Sequence, residues 1–108
     1  MIISLKNKKA LVTGGGTGIG QSIAKALADA GAKVAFTSRK TSSLKETYKL
    51  LGNNSKHFPC KIDLYKKGSV DKLYKKLKKN FGTVDIIVNN IGHTLNKKDP
   101  FTPLKNWE

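Results

Sequence analysis

The residues of this chain best placed to do chemistry are glycines. The run Thr13-Gly14-Gly15-Gly16-Thr17-Gly18-Ile19-Gly20 stands between an apolar stretch, Ala10-Leu11-Val12, and a segment in which Ile19, Ile23, Leu27 and Ala30 recur at helical spacing until Gly31. Glycines at this density let a backbone turn sharply and pass close to a ligand. A helix that starts there aims unpaired N–H groups and the positive end of its dipole at the same spot. That chemistry suits a phosphate, and the strand–turn–helix setting points to a pyrophosphate. The spacing is Gly14-x-x-x-Gly18-x-Gly20, and no frame contains the Gly-x-Gly-x-x-Gly of the common dinucleotide fingerprint. A glycine cluster alone reads equally well as a flexible turn, so the flanking strand and helix carry the reading.

Other reactive side chains offer less. Cys60 is the one cysteine, which excludes an intrachain disulfide and paired-cysteine metal sites and leaves a reduced thiol in the core. Tyr74 and Lys78 satisfy Tyr-x-x-x-Lys and share a helix face. Tyr74 adjoins the apolar positions Val70, Leu73 and Leu77, so its expected role is packing, with the hydroxyl exposed. His57 and His93 stand alone; both are read as solvated, without a catalytic role.

The elements that must position these groups follow a strand-then-helix rhythm. Val34-Ala35-Phe36 reads as a second strand, followed by a helix opened by a capping box of Ser43 and Glu46, striped by Leu44, Tyr48 and Leu51, and ended by Gly52. Residues His57 to Ile62 form a third strand, and Pro59 inside it demands a sheet edge because proline cannot donate to the ladder. A third helix spans Val70 to Phe81, and Val84-Asp85-Ile86-Ile87-Val88 is a fourth, strongly apolar strand. Alternation of this kind predicts right-handed crossovers and an α/β fold, a doubly wound parallel sheet with helices on both faces. With Pro59 at an edge, the strand order is 3-2-1-4. Further on, Pro100 and Pro103 interrupt any helix, and Leu104 and Trp107 have helical spacing.

Bulk properties set limits. A chain of 108 residues is read as a single domain, 1–108, able to bury about two thirds of its unfolded surface. There is no run of eighteen apolar residues and no secretory pattern at the start, so the protein is expected to be soluble and cytoplasmic, with no membrane partner. The net charge of +14 could signal a polyanion partner. Yet all 21 basic residues except Arg39 are lysines, spread over every helix and loop, whereas groove readers lean on arginine. The dense set Lys66-Lys67, Lys72, Lys75-Lys76 and Lys78-Lys79 flanks an apolar helix stripe and is read as a solvated face, with no specific nucleic acid as partner.

Four landmarks together resemble the short-chain dehydrogenase/reductase family: Thr13-Gly14-x-x-x-Gly18-Ile19-Gly20, Ser38-Arg39 after the second strand, Asp63-Leu64 after the third, and Asn89-Asn90-Ile91-Gly92 after the fourth. They occur in the family's order and near its spacing over almost the whole chain. The resemblance implies a Rossmann-like domain binding a nicotinamide dinucleotide, in an oxidoreductase acting on a small-molecule carbonyl or alcohol substrate. In that scheme Gly14, Gly16 and Gly18 shape the turn, Gly20 lets the helix approach the strand, and Thr17 and Ile19 line the pyrophosphate and nicotinamide side. Asp63 would bond the adenine amino group, with Leu64 beside it. Asn90, Ile91 and Gly92 would lie near the riboses, and Asn89 would tie strands together. Each has a plainer alternative: Asp63 as the start of a turn, and Asn89-Asn90 as loop amides.

Within the resemblance, coenzyme choice follows from the end of the second strand. Enzymes selective for NAD place a carboxylate there, which would repel a 2′-phosphate. Here the position holds Ser38, followed by the only arginine of the chain and by Lys40. A guanidinium presents a planar fork of donors to a phosphate, so NADP is expected over NAD.

The family's catalytic serine, Tyr-x-x-x-Lys and helix asparagine follow the Asn-Asn-x-Gly landmark, and nothing after Asn89 here corresponds to them. The sequence therefore reads as the amino-terminal, coenzyme-binding half of a longer, homo-oligomeric enzyme, truncated after the fourth strand. Its substrate class is a 3-oxoacyl thioester or, with Gly-Gly-Gly-Thr-Gly and Ser38-Arg39-Lys40, an enoyl or dienoyl thioester. Alternatives are a non-catalytic dinucleotide-binding module and, more remotely, a basic nucleic-acid-associated protein.

Overall fold

In a computed structural model, residues 4–16 and 18–90 are described. The elements are β1 (Lys9–Thr13), α1 (Gly18–Asp29), β2 (Lys33–Ser38), α2 (Thr41–Leu50), β3 (Phe58–Lys61), α3 (Ser69–Asn80) and β4 (Ile86–Asn89). All strand pairs are parallel, and the sheet order is β3-β2-β1-β4. Pro59 thus lies in an edge strand, where its missing N–H leaves no ladder bond unmade.

Side-chain alternation divides the core between the two faces. Val12, Val34 and Phe36 point to one side and pack with Ala24 of α1 and Leu44 of α2. Leu11, Ala35 and Cys60 point to the other, where Leu73 and Leu77 of α3 cover them with Phe81. The register sets Val12 opposite Phe36 and Val88, so one apolar layer runs across three strands. Burial pushes the Cys60 thiol pKa upward, which agrees with an inert core thiol.

Lys9 closes the corner between β1, α3 and β4. Its Nζ donates to the Phe81 carbonyl at 2.6 Å and lies 5.6 Å from the Phe81 ring centroid. A cation there complements the negative end of α3. Its backbone N–H donates to Asp85 Oδ2 at 2.9 Å and its carbonyl accepts the Asp85 N–H at 2.7 Å, which starts β4 alongside β1.

Three local expectations are corrected. The Ser43–Glu46 capping box does not form: α2 begins at Thr41 with Lys40 at its N-cap and no side-chain cap. The Lys40 N–H donates to Ser38 Oγ at 3.2 Å, which turns the chain into the helix early and leaves Ser43 inside it. Tyr74 is 64% exposed rather than packed, because α3 buries Ser69, Leu73 and Leu77 and Tyr74 lies one position round from that stripe. His57 is buried, 4% exposed, and its Nδ1 accepts the Val34 N–H at 3.0 Å.

The His57 bond requires a neutral ring with an unprotonated Nδ1. Burial, reinforced by the charge of Lys56, lowers its pKa below the usual 6.5. The unfolded chain therefore takes up the proton first, so stability is fully present above about pH 6.5 and declines as pH falls below it. We expect the thermal midpoint to drop between pH 7 and pH 5.5, and the drop to be smaller in His57→Gln; identical pH profiles for the two proteins would refute this.

Candidate functional site

The carboxyl ends of β1, β2 and β4 converge on the glycine loop. Gly14 adopts φ +69°, a left-handed conformation that favours glycine, and its N–H donates to Thr37 Oγ1 of β2 at 3.0 Å. Its carbonyl accepts Asn90 Nδ2 at 3.3 Å and also faces Gly20 in the first turn of α1. A Cβ at Gly20 would overlap the Gly14 carbonyl and come within 2.6 Å of Asn90 Nδ2. Helix, strand end and loop therefore meet at a point with no room for a side chain.

Thr13 ties β1 to β4 beneath this loop. Its Oγ1 donates to Asn89 Oδ1 at 3.0 Å and accepts the Asn90 N–H at 3.0 Å. Asn89 thus joins neighbouring strands, as the resemblance implies, while the Asn90 side chain braces the Gly14 carbonyl.

A cleft of about 460 Å³ opens over the loop. Its floor holds Gly14, Gly16 and Asn90, and Ile19, 72% exposed, stands at one wall. Across from them lie Ser38, Arg39 and Lys40 at the end of β2, with Ser43 in the first turn of α2. Gly16 is pressed against this wall: a Cβ there would sit 2.7 Å from both Ser38 Cβ and Ser38 Oγ and 3.0 Å from Ser43 Cβ. Arg39 and Lys40 are exposed, and neither pairs with a carboxylate among the described residues.

The third wall comes from the loop after β3. Ile62 and Leu64 line the cleft, whereas the Asp63 carboxylate accepts the Tyr65 N–H at 3.0 Å and so begins a turn. Of the remaining expected positions, Gly18 (φ +57°) opens α1, and Thr17, Ile91 and Gly92 lie outside the described residues, as does His93.

Several contributors were not foreseen. Thr37 anchors Gly14, and Thr47 of α2 bonds the loop from behind. Thr47 carried a readable signal: it is a polar residue on the Leu44–Leu51 stripe, and a buried hydroxyl must find partners. Among the described residues no group of three His, Cys, Asp or Glu could hold a metal, and no helix is long and apolar enough to cross a membrane.

The cradle fits a dinucleotide. Side chains are excluded where Gly16 and Gly20 meet their neighbours, which brings the loop backbone close to the start of α1, a setting suited to a phosphate. Arg39 and Lys40, without a carboxylate partner among the described residues, line the same cleft.

Comparisons with known proteins agree with this geometry. A family model described as short chain dehydrogenase matches residues 8–108. The chain is 45% identical over 106 residues to 2-dehydro-3-deoxy-D-gluconate 5-dehydrogenase of Bacillus subtilis (strain 168), which covers 97% of this chain and 41% of that protein. A variant of a Serratia marcescens short-chain dehydrogenase/reductase superposes with a TM-score of 0.77 at 32% identity, over 84% of this chain and 38% of the other. The RhlG/NADP active-site complex of Pseudomonas aeruginosa superposes with a TM-score of 0.72 at 32% identity, over 98% and 40%. The chain thus spans about two fifths of the length of these relatives.

Proposed function

Because the chain belongs to the short-chain dehydrogenase family, we propose that it forms the NADP-binding half of an oxidoreductase that moves hydride between NADP(H) and a carbonyl or alcohol substrate. One observation carries the choice of NADP: Ser38 ends β2 and Arg39 and Lys40 follow it, two exposed cations lining the cleft with no carboxylate partner among the described residues, and no carboxylate stands at the position that would otherwise bind ribose hydroxyls. The RhlG structure named with NADP supports this reading.

Residues of this chain bind and orient. Gly14, Gly16 and Gly18 shape the turn that presents backbone to the diphosphate, Gly20 lets α1 approach β1, and, as the family resemblance implies, Thr17 and Ile19 line the pyrophosphate and nicotinamide side. Arg39 and Lys40 hold the 2′-phosphate beside Ser38. Asp63 bonds the adenine amino group, Leu64 adds a backbone contact there, and Asn90, Ile91 and Gly92 flank the riboses. The bound nicotinamide supplies the hydride donor or acceptor.

Substrate follows from relatives rather than from this cleft. The family resemblance offers a 3-oxoacyl, enoyl or dienoyl thioester, and 2-dehydro-3-deoxy-D-gluconate is the compound named for the Bacillus subtilis relative. Titration calorimetry of the full-length protein should show heat with NADP at lower concentration than with NAD; no heat with either would end this reading.

A further inference from the structure

The glycine loop is held from behind by a hydroxyl that direct coenzyme contact does not use. Thr47 lies in α2 and is fully buried, on the face that carries Leu44. Its Oγ1 stands 3.0 Å from the Gly15 carbonyl oxygen and 3.1 Å from that of Gly16. Gln21 of α1 brings Nε2 to 3.0 Å from the same hydroxyl oxygen. Because Gln21 donates into a lone pair of that oxygen, the single hydroxyl proton is left to the loop, shared between the two carbonyls as a three-centre bond. The Gln21 amide is itself steadied by Glu46 Oε1 at 3.3 Å.

Two consequences follow for the cleft. A trans peptide points its C=O and N–H in opposite directions, so turning the Gly15 carbonyl toward α2 turns the Gly16 amide away from it. The helix that holds those carbonyls begins immediately after Arg39 and Lys40. The same helix therefore sets the position of the diphosphate loop and of the cationic turn.

We propose that Thr47 is a positioning residue of the coenzyme site, locking the glycine loop to α2 so that the spacing between loop backbone and Arg39 is set before a dinucleotide arrives. The locked loop rests on Thr47's own bonds; its consequence for binding rests on the NADP reading above. Order established in advance lowers the entropy lost on binding.

The test uses the full-length protein with Thr47→Val, which keeps the shape and removes the donor, and Thr47→Ser, which restores it. In ligand-free protein, amide exchange across residues 14–16 should quicken about tenfold in Thr47→Val, the scale of one lost hydrogen bond, with strand amides of β1 and β2 unchanged. NADP and NAD should each bind about tenfold more weakly, and Thr47→Ser should recover both properties. Wild-type loop exchange in Thr47→Val overturns the inference whether or not coenzyme binds. Equal acceleration in the strands overturns it in favour of a general packing role. If the wild-type protein binds neither dinucleotide, the functional reading fails, and the exchange data still decide the loop.

Discussion

Gly20→Ala is expected to abolish dinucleotide binding and to destabilise the fold. Alanine should favour a helix by about 1 kcal/mol over glycine, so propensity alone predicts a gain. Sterics decide otherwise. The added methyl would overlap the Gly14 carbonyl and lie 2.8 Å from its carbon, and these are backbone atoms that cannot swing aside as a side-chain tip would. Overpacking of this kind costs typically 1–3 kcal/mol, and relief requires α1 to withdraw from the loop. Withdrawal also disturbs Asn90, whose Nδ2 holds the Gly14 carbonyl at 3.3 Å. A denaturant midpoint below wild type together with silent coenzyme calorimetry is the expected pair of results. A variant that melts and binds as wild type would show that the helix and loop are not in contact in solution.

Arg39→Ala should weaken NADP binding about tenfold to a hundredfold and leave NAD nearly untouched. Hydrogen bonds to charged groups contribute about 1.5–3 kcal/mol, and a guanidinium offers two to one phosphate. Arg39 is exposed, so salt screens the attraction and the NADP advantage should shrink as ionic strength rises. Lys40 remains in the variant as a residual point charge. Lys25→Ala provides the control, since Lys25 spends its charge on Asp29 at 2.7 Å. Equal losses for both coenzymes in Arg39→Ala would remove the 2′-phosphate assignment while leaving the diphosphate cradle standing.

The two variants probe different ends of one cleft, and the protein joins those ends twice. Gly16 leaves no room for a Cβ beside Ser38 and Ser43, and Thr47 bonds the carbonyls of Gly15 and Gly16. Substitutions at either end are therefore expected to be non-additive with Thr47→Val, as for residues within one hydrogen-bonded network.

The sequence by itself determined the kinds of element, their order and the edge position of β3. Those follow from local signals: short apolar runs for the strands, apolar spacing of 3.6 residues for the helices, glycine at turns, and a proline that cannot donate within a ladder. The glycine cradle and the Ser38-Arg39 turn were legible for the same reason, since backbone freedom and charge type are carried by the residues themselves. Tertiary structure decided which groups meet. Thr37 reaches Gly14 because β2 lies beside β1, Thr47 reaches the loop because α2 packs over it, and His57 is buried because its ring replaces a backbone partner for Val34. The start of α2 also fell to a contact, Ser38 Oγ with the Lys40 N–H, rather than to the cap pattern at Ser43 and Glu46. Contacts of this kind depend on register and on distances between elements far apart in the chain, which no local pattern of residue types specifies.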